Sequence, residues 1–143
     1  MKQCMKRKVL FICSHNAARS QMAEGYLSAK YGNKFDAFSA GTKVSEVSIY
    51  AIQVMKEIGI DISQQHSKSL NEFIGEKMDI VVTVCDSAKA SCPFFPRSKT
   101  NIHMNFADPK EFTGSDEVIL NNFRKVRDEI FRWIDETFSK EDM

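Results

Sequence analysis

Residues 9–20 read VLFICSHNAARS, and they place a thiol at the point where an apolar run becomes a polar one. The run that ends at Cys13 is rich in residues that favour β-strands, and the pattern that follows it predicts a helix. Successive backbone N–H groups of a short loop at a helix N-terminus point inward, and the helix dipole adds partial positive charge there. This stretch therefore predicts an anion-binding loop directly beside a cysteine.

The side chains of this loop suit an oxyanion as ligand. The positive field favours the thiolate of Cys13, which is the nucleophilic form, and Ser20 could donate a hydrogen bond to the sulfur. Arg19 offers a planar guanidinium that can bind a tetrahedral oxyanion through two N–H groups. The loop has no glycine, but Asn16 tolerates a left-handed backbone. The predicted oxyanion-binding residues are consecutive: Ser14, His15, Asn16, Ala17, Ala18, Arg19 and Ser20.

A cysteine followed by an arginine six positions later also arises by chance, so the motif depends on its structural context. The alternative is that Cys13 is a buried structural cysteine that closes the first strand. The strand pattern before Cys13 and the helix pattern after Arg19 favour the catalytic interpretation.

The composition is that of an ordinary soluble protein. The chain has 143 residues, a net charge of +1 and 27% charged residues, which fits one domain, residues 1–143, with a basic tail over residues 1–7. We expect no nucleic-acid partner and no membrane span, because no basic stripe and no long apolar run occurs. We also expect a monomer. The four cysteines, at positions 4, 13, 85 and 92, are dispersed. Without an export signal they indicate a cytoplasmic protein with catalytic, redox-active or metal-binding thiols.

Strand and helix patterns alternate along the chain, which predicts a parallel sheet. Strands are predicted over residues 8–14, 35–40, 79–84 and 101–106, and helices over residues 17–31, from Ser45 or Ser48 to 58, over 70–73 and over Asp116–Phe138. The expected fold is a single-domain, three-layer α/β sandwich with a four-stranded parallel sheet and helices on both faces. Ligands of such sheets bind at the edge where the carboxyl ends of the strands collect.

Three chemically useful residues are expected at that edge, although they are far apart in sequence. Cys13 ends the first predicted strand, Cys85 ends the third, and Asp108 follows the fourth. Asp108-Pro109 suits an ordinary turn, but at this edge Asp108 could instead protonate an oxygen that leaves a bound oxyanion.

Cys85 and Cys92 are seven positions apart, which is about 10 Å along a helix axis. A disulfide needs Cα atoms roughly 4.4–6.8 Å apart, so the two thiols can join only if the segment bends or unwinds. We hypothesise a redox-coupled loop over residues 85–92. Two alternatives remain: inert cysteines, or a zinc site with Cys13 and a histidine, for which the usual Cys-x-x-Cys spacing is missing.

These motifs resemble the thioredoxin-coupled arsenate reductases, which share the fold of low-molecular-weight protein tyrosine phosphatases. The resemblance covers almost the whole chain and is carried by residues 13–25, 39–41, 59–63, 81–85, 92–93, 108–109 and 126–130. The anion-binding loop is common to both groups of enzymes. The Cys85/Cys92 pair favours the reductases.

The resemblance implies a thiol relay. Cys13 attacks arsenate held by the loop amides and Arg19, water leaves with Asp108 as proton donor, and an arseno-thioester forms. Cys85 then attacks Cys13, so that arsenite leaves, and Cys92 attacks Cys85. Thioredoxin, as the external reductant, reduces the resulting Cys85–Cys92 disulfide, and no bound cofactor is implied. Each exchange is ordinary thiol–disulfide chemistry.

One position departs from the family pattern. Its potassium-binding members use an asparagine, a glutamate, a serine and a carboxylate. Asn16, Glu24 and Ser39 match the first three, whereas Lys68 occupies the carboxylate position. We expect the Lys68 ammonium group to replace the ion, so no metal is predicted.

Two other functions compete with arsenate reduction. One is a phosphatase that acts on phosphotyrosine or a small ester, with Cys13 as nucleophile, Arg19 as anion clamp and Asp108 as acid. The other is a non-enzymatic oxyanion or redox sensor that reports through residues 85–92. A serine at position 92 would separate them, because only the reductase needs Cys92 for repeated turnover.

Overall fold

The computed structural model describes residues 6–85, 98–109 and 113–139. Its helices and strands lie within three residues of the predicted limits, with Ser48 rather than Ser45 before the second helix. In chain order they are β1 (Arg7–Cys13), α1 (Arg19–Tyr31), β2 (Phe35–Gly41), α2 (Ile49–Lys56), a 3-10 helix (Leu70–Glu72), β3 (Ile80–Thr83), β4 (Thr100–His103) and α3 (Asp116–Phe138).

The four strands form one parallel sheet in the order β2-β1-β3-β4. β1 lies inside the sheet and is covered on both faces, so its run from Val9 to Ile12 is completely buried. The chain crosses from β1 to β2 on one side and later to β3 on the other side. The strand order thus reverses at the carboxyl end of β1, which is where open sheets of this kind bind ligands.

Helical segments cover both faces of the sheet, and this confirms the predicted fold class. On one face, Phe11 and Phe35 pack edge-on against Phe138 of α3, with ring centroids 6.3 Å and 5.2 Å apart. Side chains alternate along a strand, so Phe38 points to the other face. There it contacts Phe73, directly after the 3-10 helix, at 5.8 Å.

The helical spacing of apolar residues in the last helix predicts an inner stripe of Ile119, Phe123, Val126, Ile130, Ile134 and Phe138, and the structure agrees at all but one of these positions. Phe123, Val126, Ile130, Ile134 and Phe138 are buried as expected. Near the start of the helix, however, Leu120 is buried and the predicted Ile119 is only partly covered. Both residues lie at helical spacing from Phe123, so the periodicity alone does not choose between them.

The stripe also contains a charged residue, Arg127, which is 8% exposed. Its guanidinium donates to the backbone oxygen of Val54 at 2.8 Å and to the Glu57 carboxylate at 3.1 Å. These bonds satisfy a carbonyl in the last turn of α2 and fasten that helix to α3. The contact with two guanidinium groups, those of Arg124 and Arg127, holds the pKa of Glu57 below its usual range.

Among the described helices, none combines the length and apolarity of a membrane span.

Candidate active site

The loop between β1 and α1 takes the conformation that the sequence predicts. Asn16 has a φ of 53°, in the left-handed region, and it is completely buried. The neighbouring Gly41 is required by close packing rather than by its own dihedral angles. A Cβ there would lie 2.9 Å from the Asn16 nitrogen and 2.7 Å from the Lys43 oxygen. The end of β2 can therefore pass directly beside the loop.

Helix α1 begins without a capping side chain. The hydroxyls of Ser48 and Ser115 accept backbone N–H groups at the starts of α2 and α3. α1 instead begins after Ala18, which offers no side-chain cap, and its first turn contains no acidic residue. Unbonded N–H groups and the positive end of the dipole are thus left to face an anion.

The thiol of Cys13 receives two polar contacts although it is only 3% exposed. The Asn16 backbone N–H donates to Sγ at 3.2 Å, and the Ser20 hydroxyl lies 2.9 Å from it. The predicted contact between Ser20 and the sulfur is therefore present. Hydrogen bonds to sulfur favour its charged form, so these contacts suit a nucleophilic thiolate.

Arg19, the first residue of α1, connects the loop to the segment that follows β4. The residue is only 7% exposed, and its guanidinium donates to the backbone oxygen of Phe106 at 3.0 Å and lies 3.6 Å from the Asp108 carboxylate. Asp108 is thereby brought to the site, as the topology predicts. A small cavity opens between these groups, and it is lined by Ser14, His15, Ala17, Ala18, Arg19, Ser48 and Asp108.

Cys85 lies at the same edge of the sheet as Cys13. The preceding residue, Val84, bonds the chain on both sides: its N–H donates to the oxygen of Ile12 in β1 at 2.9 Å, and its oxygen accepts from the N–H of Phe106, in the segment after β4, at 3.1 Å. Cys85 is buried, and neither it nor Cys13 forms a disulfide. Cys92, Cys4 and the predicted redox loop beyond Cys85 lie outside the described residues.

The ammonium group of Lys68 lies beside Glu24, as predicted from the family pattern. Nζ is 3.8 Å from the Glu24 carboxylate and donates to the His66 backbone oxygen at 2.7 Å. The Ser39 hydroxyl donates to the same carboxylate. Burial raises the pKa of Glu24 above its ordinary value, while the Ser39 hydrogen bond and the Lys68 charge oppose the rise. Lys68 also reaches the loop, because its backbone N–H donates to the side-chain oxygen of Asn16 at 2.8 Å.

We expect the Lys68→Met variant to be destabilised in a pH-dependent way. Without the ammonium group, the pKa of Glu24 rises further, since its burial is then opposed by less positive charge. The resulting loss of folding stability is absent where Glu24 is protonated in both the folded and the unfolded chain, grows as the pH rises from the unfolded pKa of the carboxyl to its raised folded pKa, and is complete above that. The variant should lose about 1–3 kcal/mol at about pH 8 and less at about pH 4.5.

Urea denaturation at the two pH values measures this difference, and Lys77→Met, at an exposed lysine, is the matched control. An equal loss at both pH values would contradict the ion-pair explanation and leave lost packing as the cause.

Several residues of the site were not identified from the sequence. Ser48 was predicted only as a helix cap, but it also lines the cavity. Gln21 and Gln65 were not singled out, although Gln21 is completely buried and bonded to the loop. A polar residue beside the apolar face of α1 is the signal that could have found Gln21.

Among the described residues, no three His, Cys, Asp or Glu side chains are grouped as metal ligands.

Comparisons with known proteins agree with this geometry. Residues 8–140 match the family described as low molecular weight phosphotyrosine protein phosphatase. The arsenate reductase of Halalkalibacterium halodurans is 42% identical over 94% of this chain and 96% of its own length. Arsenate reductase 1 of Staphylococcus epidermidis is 44% identical over the same shares. The solved structure of an arsenate reductase in the phosphate binding state superposes with a TM-score of 0.82 at 30% identity, covering 95% of this chain and 99% of that one. The chain therefore belongs to the low molecular weight phosphotyrosine protein phosphatase family.

Proposed function

We propose that this protein is an arsenate reductase that works by a relay of three thiols and is regenerated by thioredoxin. The observation that carries the proposal is the placement of two thiols, Cys13 and Cys85, at the carboxyl ends of adjacent strands beside an uncapped helix. Hydrolysis of a phosphate ester needs only the first thiol. Both curated relatives described above carry the name arsenate reductase.

In the first step, the Cys13 thiolate attacks the arsenic atom of arsenate. A sulfur–arsenic bond forms and an arsenic–oxygen bond breaks, so the displaced oxygen must leave as water. Asp108 supplies the proton, because it lies against the same guanidinium that holds the oxyanion. Arg19 and the N–H groups of the loop balance the negative charge of the remaining oxygens.

In the second step, the Cys85 thiolate attacks the sulfur of Cys13. A sulfur–sulfur bond forms, and the electron pair of the sulfur–arsenic bond passes to arsenic, which leaves as arsenite. Arsenic gains two electrons and the two cysteines lose them, so the step is balanced without a bound cofactor. Cys92 then attacks Cys85 and releases the Cys13 thiolate. The oxidised Cys85–Cys92 pair is the form that thioredoxin reduces, and we place the reaction in the cytoplasm, where thioredoxin keeps thiols reduced.

The Cys92→Ser variant tests this proposal directly. We expect it to release one arsenite per protein molecule and then stop. A Cys13–Cys85 disulfide is left behind, and both residues are only 3% exposed, so thioredoxin reaches it poorly. The unchanged protein should continue to consume NADPH with arsenate, thioredoxin and thioredoxin reductase. Arsenite released in the first turnover and the steady rate of NADPH consumption are the two measurements.

Cys4→Ser is the matched control, because it removes a thiol that the relay does not use, and it should turn over at the normal rate. Steady turnover in Cys92→Ser would contradict the relay. The phosphatase would be supported instead if the unchanged protein and Cys92→Ser hydrolysed an aromatic phosphate ester at the same rate and neither released arsenite. Oxyanion binding with turnover of neither substrate would support a sensor.

A further inference from the structure

Gln21 has a buried amide group whose orientation is fixed by its neighbours. The side chain is completely buried in the first turns of α1, where an amide must form hydrogen bonds. Its Nε2 lies 3.1 Å from the Asn16 backbone oxygen and 3.0 Å from the His66 backbone oxygen. Backbone oxygens only accept hydrogen bonds, so the nitrogen end of the amide must face them. The oxygen end faces the Gln65 amide at 2.7 Å.

This orientation determines that of the Asn16 side chain. Asn16 Oδ1 lies 2.8 Å from Gln21 Nε2 and 2.8 Å from the Lys68 backbone N–H, and both of these groups can only donate. The oxygen end of the Asn16 amide is therefore fixed towards them. Its nitrogen end must then face the Ser20 hydroxyl, which lies 2.7 Å from Nδ2.

The Ser20 hydroxyl is in turn left with one direction for its hydrogen. Its oxygen accepts from Asn16, so the hydroxyl hydrogen is available for the other polar neighbour, the Cys13 sulfur at 2.9 Å. The donors thus follow one another from Gln65 through Gln21, Asn16 and Ser20 to the thiol. If the Asn16 amide were reversed, Ser20 would donate to Asn16 and the sulfur would lose this hydrogen bond.

We propose that Gln21 is a positioning residue for Cys13. Its amide keeps Asn16 in the orientation that makes Ser20 a donor to the thiolate. It also binds the backbone oxygen of Asn16, which supports the left-handed conformation at a position without glycine. The inference concerns the reactivity of the thiol on which the proposed function rests, but it can be tested without arsenate.

The test measures the rate at which iodoacetate alkylates Cys13 as a function of pH, in a chain whose other three cysteines are serine. Gln21→Met removes the amide at nearly constant volume. Its profile should move to higher pH by about half to one unit, so that roughly threefold to tenfold less thiolate reacts near neutral pH. Gln21→Glu should move it further, because a carboxylate facing three oxygens favours the reversed Asn16 amide. Gln53→Met, at an exposed helical position, should leave the profile unchanged.

A double-mutant comparison separates positioning from general damage to the fold. In a Ser20→Ala background the final donor is absent, so Gln21→Met should shift the profile no further. A full additional shift in that background, or no shift in a folded Gln21→Met protein, would overturn the inference. Gln65→Met, at a half-buried position, should give a smaller shift in the same direction. If the Gln21 variants do not fold, an unshifted profile for Gln65→Met overturns it instead. A shift in this chain, together with no arsenate reduction by the protein that keeps all four cysteines, would support the inference and contradict the proposed function.

Discussion

We expect the Cys13→Ser variant to reduce arsenate at least about ten-thousandfold more slowly than the unchanged protein. A hydroxyl at this position is not ionised near neutral pH, so the nucleophile is lost. The second step of the proposed relay is lost as well, because in that step the two electrons that reduce arsenic come from the sulfurs of Cys13 and Cys85 as they join. A serine oxygen cannot form that bond. NADPH consumption coupled to thioredoxin, with arsenite measured directly, records the loss.

The same variant should keep the anion-binding loop, which consists of backbone N–H groups and Arg19. Phosphate should therefore still raise its melting temperature, since a ligand that binds only the folded state stabilises it. This response shows that the loss of reduction is chemical and not a failure to fold. Arsenite release at more than about one hundredth of the normal rate would place the nucleophile elsewhere.

The sequence was sufficient to place the principal groups of the site. Cys13, Cys85 and Asp108 are dispersed along the chain, yet the alternation of strands and helices predicts that they share one edge of the sheet. The structure places all three there. Parallel sheets allow such inference because all of their strands run in the same direction, so that all of the carboxyl ends lie at one edge. The left-handed Asn16 was also predictable, since few residues besides glycine tolerate that conformation.

Other polar contacts inside the site, unlike that of Ser20 with the Cys13 sulfur, were not predictable from the sequence. Arg19 donates to Phe106, which is 87 positions away, and Gln21 bonds His66, which is 45 positions away. Hydrophobic periodicity identifies the face of a helix that is buried, but it gives no partner for a polar side chain on that face. Such partners depend on loops whose paths are set by tertiary packing. The role of Gln21 could for the same reason be inferred only from its contacts in the structure.

Arg19 illustrates how one side chain serves both architecture and chemistry. Because it holds the Phe106 oxygen and lies against Asp108, it fixes the segment after β4 to the start of α1. The same guanidinium lines the cavity in which we propose that the oxyanion binds. A planar group with five N–H donors can make these contacts together, whereas an ammonium group is a compact point charge with three.

We therefore expect Arg19→Lys to lower kcat/KM for arsenate by about a hundredfold to a thousandfold, although the charge is kept. A lysine can approach either the oxyanion or the Phe106 oxygen, but it cannot hold both in one plane. Part of the loss should appear in kcat, because Asp108, the proposed proton donor, is then no longer fixed against the group that we propose binds the oxyanion. Steady-state kinetics with thioredoxin over a range of arsenate concentrations separate kcat from KM.

The matched control is Arg132→Lys, which makes the same substitution at an exposed position of α3 and should leave both constants unchanged. If Arg19→Lys changed only KM, Arg19 would contribute equally to binding arsenate and its transition state, and Asp108 would not depend on it. If it changed neither constant, the geometry of the guanidinium would have no part in catalysis, and positive charge at the start of α1 would be sufficient. The structure argues against both outcomes, because the Phe106 oxygen and the Asp108 carboxylate contact different nitrogens of the planar guanidinium. The single nitrogen of an ammonium group does not reproduce that arrangement.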